Sequence, residues 1–501
     1  MSAFKYDLKI YAGKRRLLQI NNFEIAPNKV TFLFGESGIG KSIISKAVFG
    51  LLDSESLLIK INNSDYKSYL ESSIVREFQN NGFFVFQEPS SHLNPLRTLY
   101  KQLNEGSLKD LSPKDEQSII RFLWDGIDPD FLNMLLKVFP KPYRPSGGEK
   151  QRILLAMAFK KIKQYIDQEN SHKTAFFIFD EPSGSLDNHF RNLFLQLLME
   201  CYKQKPFTAL IITHDYSIIS EIETKYSSLS QAINYQELSR TEEHQLTLRD
   251  FSKDEYLNWI NNQSITKSKN DTDRVLLSIT NPVLVFGKKL SFYSDGQFKQ
   301  AVDFKINASD LIYLKAQSGA GKTTIAKIIM GLIKAEKVNI TFENTKADQN
   351  TPQDFWRKNI WGREITMIFQ HADEALNQNA KVWEVFNALP LKKQLTRQIL
   401  LDELQGIFDE KLKISFLDKK VKFLSGGQKQ RVNILRSMLL DTKILIMDEP
   451  LNGLDLRSAH KVIEKIKERK EQGCSILLIS HNEEIFDSIV DKQNVVYLKA
   501  E

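Results

Sequence analysis

Val30-Thr31-Phe32-Leu33-Phe34, a short β-prone run, enters Gly35-Glu36-Ser37-Gly38-Ile39-Gly40-Lys41-Ser42. A strand that ends in a glycine-rich turn and reopens as a helix leaves a row of bare backbone N–H groups at the helix start, where the dipole favours an anion. The GxxxxGK[ST] spacing adds a lysine that reaches the outer phosphates of a nucleotide and a hydroxyl, here Ser42, that reaches Mg²⁺. Taken alone, such a pattern also describes an ordinary Gly-rich turn. The chain removes that alternative by repeating the pattern, the second copy with alanine at its first position. Leu311-Ile312-Tyr313-Leu314 enters Ala316-Gln317-Ser318-Gly319-Ala320-Gly321-Lys322-Thr323, with Thr324 following and Lys322 standing 281 positions after Lys41. Each loop continues into an apolar helical periodicity closed by a glycine, Gly50 or Gly331, again 281 apart.

Further landmarks recur in one order. Gln87 lies in Val-Phe-Gln-Glu-Pro and Gln370 in Ile-Phe-Gln-His-Ala; Pro145-Ser146-Gly147-Gly148-Glu149 answers Leu424-Ser425-Gly426-Gly427-Gln428; apolar runs end in Asp180-Glu181 and Asp448-Glu449; later β-type runs end at His214 and His481. A repeat this long means duplicated domains rather than a solenoid. Short apolar runs alternating with amphipathic helical patterns predict an α/β fold, a mostly parallel sheet flanked by helices in each half, with ligand chemistry at the strand C-termini. The polar stretch Asn261 to Arg274 reads as a connector. The expected organisation is therefore a first domain over 1–265, a linker over 266–274 and a second domain over 275–501.

Composition sets the outer limits. The 501 residues carry 69 basic and 62 acidic side chains, a net charge of +7, with 42% hydrophobic and 26% charged residues. This is ordinary globular usage and excludes a mainly disordered or collagen-like chain. Charge spread so evenly does not by itself call for nucleic acid. Cys201 and Cys474 are far apart and match no metal-ligand spacing, which argues for a reducing compartment, the cytosol. No apolar run approaches the ~20 residues that span a bilayer, and the start, MSAFKYDLKIYAGKRRLL, lacks the apolar core of a signal peptide. Any membrane role is expected to run through a partner.

A buried apolar strand ending in Asp-Glu is costly unless the acids have a metal or hydrogen-bond partner. Asp180 and Asp448 are placed to hold Mg²⁺ through water, and Glu181 and Glu449 to polarise the water that attacks a γ-phosphate. The structural alternative is an acid pair at a helix start before Pro182 or Pro450. His214 and His481 follow the glutamates by 33 and 32 residues, each at the end of a strand, as γ-phosphate sensors would. Ser146 and Ser425 each precede an apolar helical pattern as N-caps, leaving first-turn amides for an anion.

Together, the P-loop, glutamine loop, LSGGQ-type segment, strand-Asp-Glu, the pairs Leu186-Asp187 and Leu454-Asp455 and the switch histidine resemble the ATP-binding cassette (ABC) ATPases, over nearly the whole chain and twice. The resemblance implies tandem P-loop domains, each with a helical signature subdomain, that bind and hydrolyse Mg-ATP. Two cassettes would dock head to tail and sandwich two ATP molecules, so that no homodimer is required. One site would join Gly35, Ser37, Gly38, Gly40, Lys41, Ser42, Gln87, Asp180, Glu181 and His214 to Ser425, Gly426, Gly427 and Gln428. The other would join Ala316, Ser318, Gly319, Gly321, Lys322, Thr323, Thr324, Gln370, Asp448, Glu449 and His481 to Ser146, Gly147 and Gly148. Gln87 and Gln370 would serve as magnesium and catalytic ligands. Tyr11 and Tyr293, 24 and 23 residues before the P-loops, resemble the aromatic that stacks on adenine; core tyrosines are the other reading.

Departures from the pattern fall on one of these two sites. Ala316 replaces the first P-loop glycine, and Pro145 and Glu149 replace the leucine and glutamine of LSGGQ. Functional asymmetry, with the Gly35–Ser42 site faster, is one reading. Simple tolerance is the other, since alanine suits a negative φ, proline suits a helix start and glutamate suits a first helical turn.

Leu93-Asn94-Pro95 after Phe-Gln-Glu-Pro is similar to the ATPase subunits of oligopeptide, dipeptide and nickel importers, whose fused double-ATPase versions match best. This implies membrane permease subunits docking beside the glutamine loops, a substrate-binding protein, and a peripheral place on the cytoplasmic face of the inner (plasma) membrane. Two departures stand against that subgroup: Asn377-Gln378 lacks the proline, and 20 residues follow His481 where such importers commonly carry an extension. The alternative is a soluble tandem ABC protein acting on ribosomes or nucleic acid. That class usually joins its cassettes by a long charged arm, for which the 79 residues from His214 to Tyr293 leave little room.

Overall fold

Apolar runs buried on both faces make parallel strands under helices, and the computed structural model builds each half around five parallel strands, most of them such runs. It describes residues 4–106, 108, 111–139, 145–168, 174–182, 188–240, 245–265, 274–317, 319–343, 345–387, 389–391 and 394–501. In the first half the parallel order is Ile233–Arg240, Val30–Phe34, Thr208–Ile212, Phe176–Asp180, Phe83–Val85. In the second it is Val495–Ala500, Leu311–Lys315, Ser475–Ile479, Ile444–Asp448, Ile365–Ile368. The P-loop strand is thus flanked by equivalent strands in both. Each chain crossing from one strand to its parallel neighbour runs through a helix, as parallel pairing demands.

Outside this core the halves differ. In the first, Phe4–Ala12, Arg15–Ile25 and Leu58–Ile61 pair antiparallel and join the same sheet through Leu246–Asp250. In the second, Phe304–Asn307, Val275–Ile279, Asn339–Phe342 and Thr345–Asp348 form a separate antiparallel sheet.

The helix after each P-loop is pinned by its apolar face. Ile44, Ala47, Val48 and Phe49 pack with Leu33, Ile178, Leu210 and Ile212. Ile325, Ala326, Ile328 and Ile329 pack with Leu314, Ile446, Leu477 and Ile479. Each large side chain so buried contributes about 1.5–3 kcal/mol, which fixes the loop between strand and helix. A separate apolar cluster in the second half, with Leu400, Leu404, Phe408, Phe416, Val432 and Leu435, backs the helix Gly426–Met438 that follows the LSGGQ segment.

The chain divides into two compact units, Met1–Gly35 with Ile39–Glu255, and Glu36–Gly38 with Tyr256–Glu501. The division after Glu255 falls inside the helix Lys253–Asn261. Tyr256 is fully buried and donates a 2.7 Å hydrogen bond to Glu484, and Trp259 stacks on His460 at 4.1 Å. Of the expected linker, only Arg274 lies within the described residues. Among the described residues, no helix is long and apolar enough to cross a membrane.

Candidate active site

The loop Gly35 to Gly40 bridges the strand Val30–Phe34 and the helix Lys41–Phe49. Gly35, Gly38 and Gly40 have φ of +134°, +77° and +124°, values open to glycine and strained for other residues. Lys41 is buried and its ammonium donates to the Gly35 carbonyl, folding the side chain back along the loop. Ser42 donates to Asp180 Oδ1 at 2.9 Å. Asp180 ends the strand Phe176–Asp180, is 1% exposed, and has its other oxygen buried without a hydrogen-bond partner. Burial pushes its pKa up to about 6, against the Ser42 hydrogen bond, which lowers it.

Glu181 has a φ of +49°, a left-handed backbone that a non-glycine residue adopts only when its surroundings enforce it. Its N–H donates to the Ile212 carbonyl of the neighbouring strand at 2.9 Å. Its carboxylate lies 2.9 Å from His214 Nδ1. Burial alone would raise Glu181, but the charge and hydrogen bond of His214 outweigh it and hold the carboxyl below its usual range. Reciprocally, burial would lower His214, and Glu181 raises it overall.

The second unit repeats the frame with different partners. Gly319 and Gly321 have φ of +78° and +100°. Lys322 donates to the Ala316 carbonyl at 2.8 Å. Asp448 ends its strand 1% exposed, and neither carboxylate oxygen makes a hydrogen bond of ordinary geometry, although Thr323 lies near enough to offset part of the upward shift that burial causes. Glu449 has the same φ of +49°, and its N–H donates to Ile479 at 2.8 Å. Its carboxylate, however, accepts from the Ser480 hydroxyl at 2.8 Å and the His481 backbone N–H at 3.2 Å, with the His481 ring at 3.6 Å. Burial pushes Glu449 up to about 7, with those two hydrogen bonds opposing it.

The other expected residues fall as follows. Gln87 is exposed and Gln370 half-buried, each just beyond a strand of the parallel core. Tyr11 is half-buried on the strand Phe4–Ala12. Tyr293 is buried, its ring edge-on to Phe298 and its hydroxyl 3.4 Å from Glu501. Ser146 and Ser425 each cap a helix in a capping box, the reciprocal partner being Glu149 in one and Gln428 in the other. Gly147, Gly148, Gly426 and Gly427 form the first turns behind them. Ser318 and the pair Leu186-Asp187 lie outside the described residues.

Buried carboxylate oxygens without partners, at strand ends beside a P-loop hydroxyl, suit a hard cation whose remaining ligands are phosphate oxygens and water. Ser42 with Asp180, and Thr323 with Asp448, therefore fit Mg²⁺. Sequence reasoning passed over Ser480, a direct donor to Glu449, and Asp215 with Arg191 behind His214. The available signal was the hydroxyl residue before each switch histidine, Thr213 and Ser480.

Comparison with known proteins agrees with this geometry. The ABC transporter family model matches residues 18–183 and 299–452. The chain belongs to the ABC transporter family. Its two family domains are the type that binds ATP with Mg²⁺. The Escherichia coli K12 glutathione import ATP-binding protein GsiA is 23% identical over 545 residues, covering 99% of this chain and 83% of that one. An ABC transporter ATP-binding protein of Clostridium perfringens is 27% identical over 515 residues, covering 95% and 85%. Among solved structures, RNase-L Inhibitor superposes with a TM-score of 0.60 at 16% identity, covering 98% of this chain and 89% of the other. The archaeal ribosome recycling factor aABCE1, in complex with stalk protein aP1, gives 0.62 at 16% identity over the same shares. These likenesses show a common tandem ABC fold.

Both LSGGQ-type segments of this ABC protein close the same capping box, so Glu149 meets the local demand that Gln428 meets. Ala316 is not among the residues of positive φ and needs no glycine. The departures at Glu149 and Ala316 thus have local physical reasons, and the unequal surroundings of Glu181 and Glu449 are a separate difference.

Proposed function

We propose that this chain is the ATP-hydrolysing subunit of a membrane importer for small peptides or nickel-type substrates. The observation that carries this reading is whole-length similarity, 99% of the chain, to a glutathione import ATP-binding protein; glutathione is itself a tripeptide. Asp180 and Asp448, with Ser42 and Thr323, would hold Mg²⁺, which when bound screens the phosphate charge. Gln87 and Gln370 would complete those sites. Glu181 and Glu449 orient and polarise the attacking water, and the P-loop amides with Lys41 and Lys322 hold the β- and γ-phosphates. Closure on ATP and opening after hydrolysis would drive permease subunits, with a substrate-binding protein delivering cargo and the chain seated on the cytoplasmic face of the membrane. Both cassettes lie in one chain, so an intramolecular pair serves without homodimerisation.

The reading of a soluble tandem ABC protein on ribosomes or nucleic acid shares the fold with aABCE1, but sequence similarity over the full length runs to the import protein. The test is affinity capture of the tagged Glu181→Gln, Glu449→Gln variant from its native cells in mild detergent with ATP. Co-purifying polytopic membrane proteins are expected; ribosomes without membrane proteins would overturn the importer reading.

A further inference from the structure

The residues behind the two switch histidines are not equivalent. In the first unit Asp215 follows His214, and its Oδ2 accepts from Arg191 Nη1 at 3.0 Å. Its Oδ1 accepts from the Ser217 N–H at 3.0 Å and from the Ser217 hydroxyl, and Arg191 Nη1 also donates to Ser217 Oγ. Arg191, 7% exposed, projects from the helix Asn188–Gln204. On the other flank of the histidine, the Asp215 N–H donates to Thr213 Oγ1 at 3.0 Å and the Thr213 N–H to the Leu33 carbonyl of the P-loop strand at 3.2 Å. The turn that presents His214 is therefore tied to a helix on one side and to the P-loop strand on the other, with its ring against Glu181.

In the second unit the corresponding positions hold Ala459, four residues after Asp455 as Arg191 is four after Asp187, and Asn482 after His481. An alanine cannot form the ion pair. There the Asn482 N–H donates to Ser480 Oγ at 3.1 Å, and that hydroxyl donates to Glu449. The carboxylate is held by the residue before the histidine, and the ring stands 3.6 Å away.

We propose that Arg191 and Asp215 are positioning residues of the first ATPase site, bracing His214 against Glu181, and that the second site is built without this brace, Ser480 holding Glu449 in its place. Both members of the pair differ together between the units, and the buried, partly desolvated ion pair is costly to keep without a geometric return. A brace of this kind acts by orientation, and small misplacements of an orienting group cost rate rather than binding.

The assignment rests on the ATPase reading. The test uses the full chain and compares steady-state ATP hydrolysis and binding of a fluorescent ATP analogue for Arg191→Ala, Arg191→Lys and Asp215→Asn. The expected result is a kcat lowered about tenfold in Arg191→Ala and Asp215→Asn, with KM and analogue affinity within about twofold, and recovery of most of the rate in Arg191→Lys. Asp215→Asn is nearly isosteric and carries the test should Arg191→Ala fold poorly. Unchanged kcat, a loss that appears in KM or analogue affinity, or Arg191→Lys no better than Arg191→Ala overturns the positioning role. A wild-type chain that binds ATP and turns none over would overturn the hydrolytic reading itself, and this role with it.

Discussion

Gly35 and Ala316 occupy the same place in two P-loops with different backbones. At Gly35, a Cβ would stand 2.6 Å from the Leu238 carbonyl oxygen, in addition to the strain of a φ of +134°. Gly35→Ala is therefore expected to cost about 1–3 kcal/mol of stability and to weaken ATP binding. Ala316→Gly should shift stability by less than about 1 kcal/mol, since it adds only chain entropy. Urea unfolding and analogue titration of the two variants check this, and equal costs would refute the conformational argument. Glu149 is also replaceable on this reasoning: Glu149→Gln keeps the capping box and should change stability by under about 0.5 kcal/mol, whereas Ser146→Ala, which opens it, should cost about 1 kcal/mol. Residue types at the site were legible because a phosphate loop and a strand-end acid pair admit few substitutes. The left-handed backbone of Glu181 and Glu449, and the choice between a histidine ring and a serine hydroxyl as partner, were not, because they depend on neighbouring strands distant in sequence.

Strands buried on both faces announce themselves as continuous apolar runs, which is why Phe176–Asp180, Thr208–Ile212, Ile444–Asp448 and Ser475–Ile479 could be read from the chain. The antiparallel additions, exposed along one face, give no such signal. Nor did the helix Lys253–Asn261, whose polar sequence reads as the tail of the first domain although Tyr256 is buried and Trp259 partly buried within the second unit. Its contact supplies a pH-dependent element. Burial pushes His460, under Trp259, down to about 4 from an ordinary 6.5. Between those values the unfolded chain binds a proton that the folded chain does not, so this contribution is complete above about pH 6.5 and is lost as pH falls toward 4. Going from pH 7.5 to 5, wild type should lose about 2 kcal/mol more than His460→Gln. Unfolding free energies at the two pH values give this difference directly, and parallel losses would mean that the stacked imidazole titrates normally.

At the scale of the whole chain, duplication has kept the order of five parallel strands and allowed the chemistry at their ends to diverge. Glu181 is held ionised by His214, whereas burial leaves Glu449 near pH 7 in its titration, with Ser480 as its partner. On the proposed role of the two glutamates, a carboxyl group partly protonated at neutral pH polarises water in only part of the molecules, so the first unit is expected to carry most of the turnover. Glu181→Gln is then expected to lower ATP hydrolysis more than Glu449→Gln, and equal losses would sink the inequality. The two variants should also separate by pH. In Glu181→Gln the remaining activity depends on Glu449 and should climb several-fold from pH 6 to 8 as that carboxyl loses its proton, a tenfold change in ionised fraction being the limit for each unit below its pKa. In Glu449→Gln the remaining activity depends on a carboxylate already ionised well below this range and should stay nearly flat over the same interval. Hydrolysis rates of both variants at pH 6, 7 and 8 and saturating Mg-ATP therefore distinguish unequal carboxylates from unequal phosphate loops, because a defect confined to the loop at Ala316 would scale the rate of one variant without changing its slope with pH.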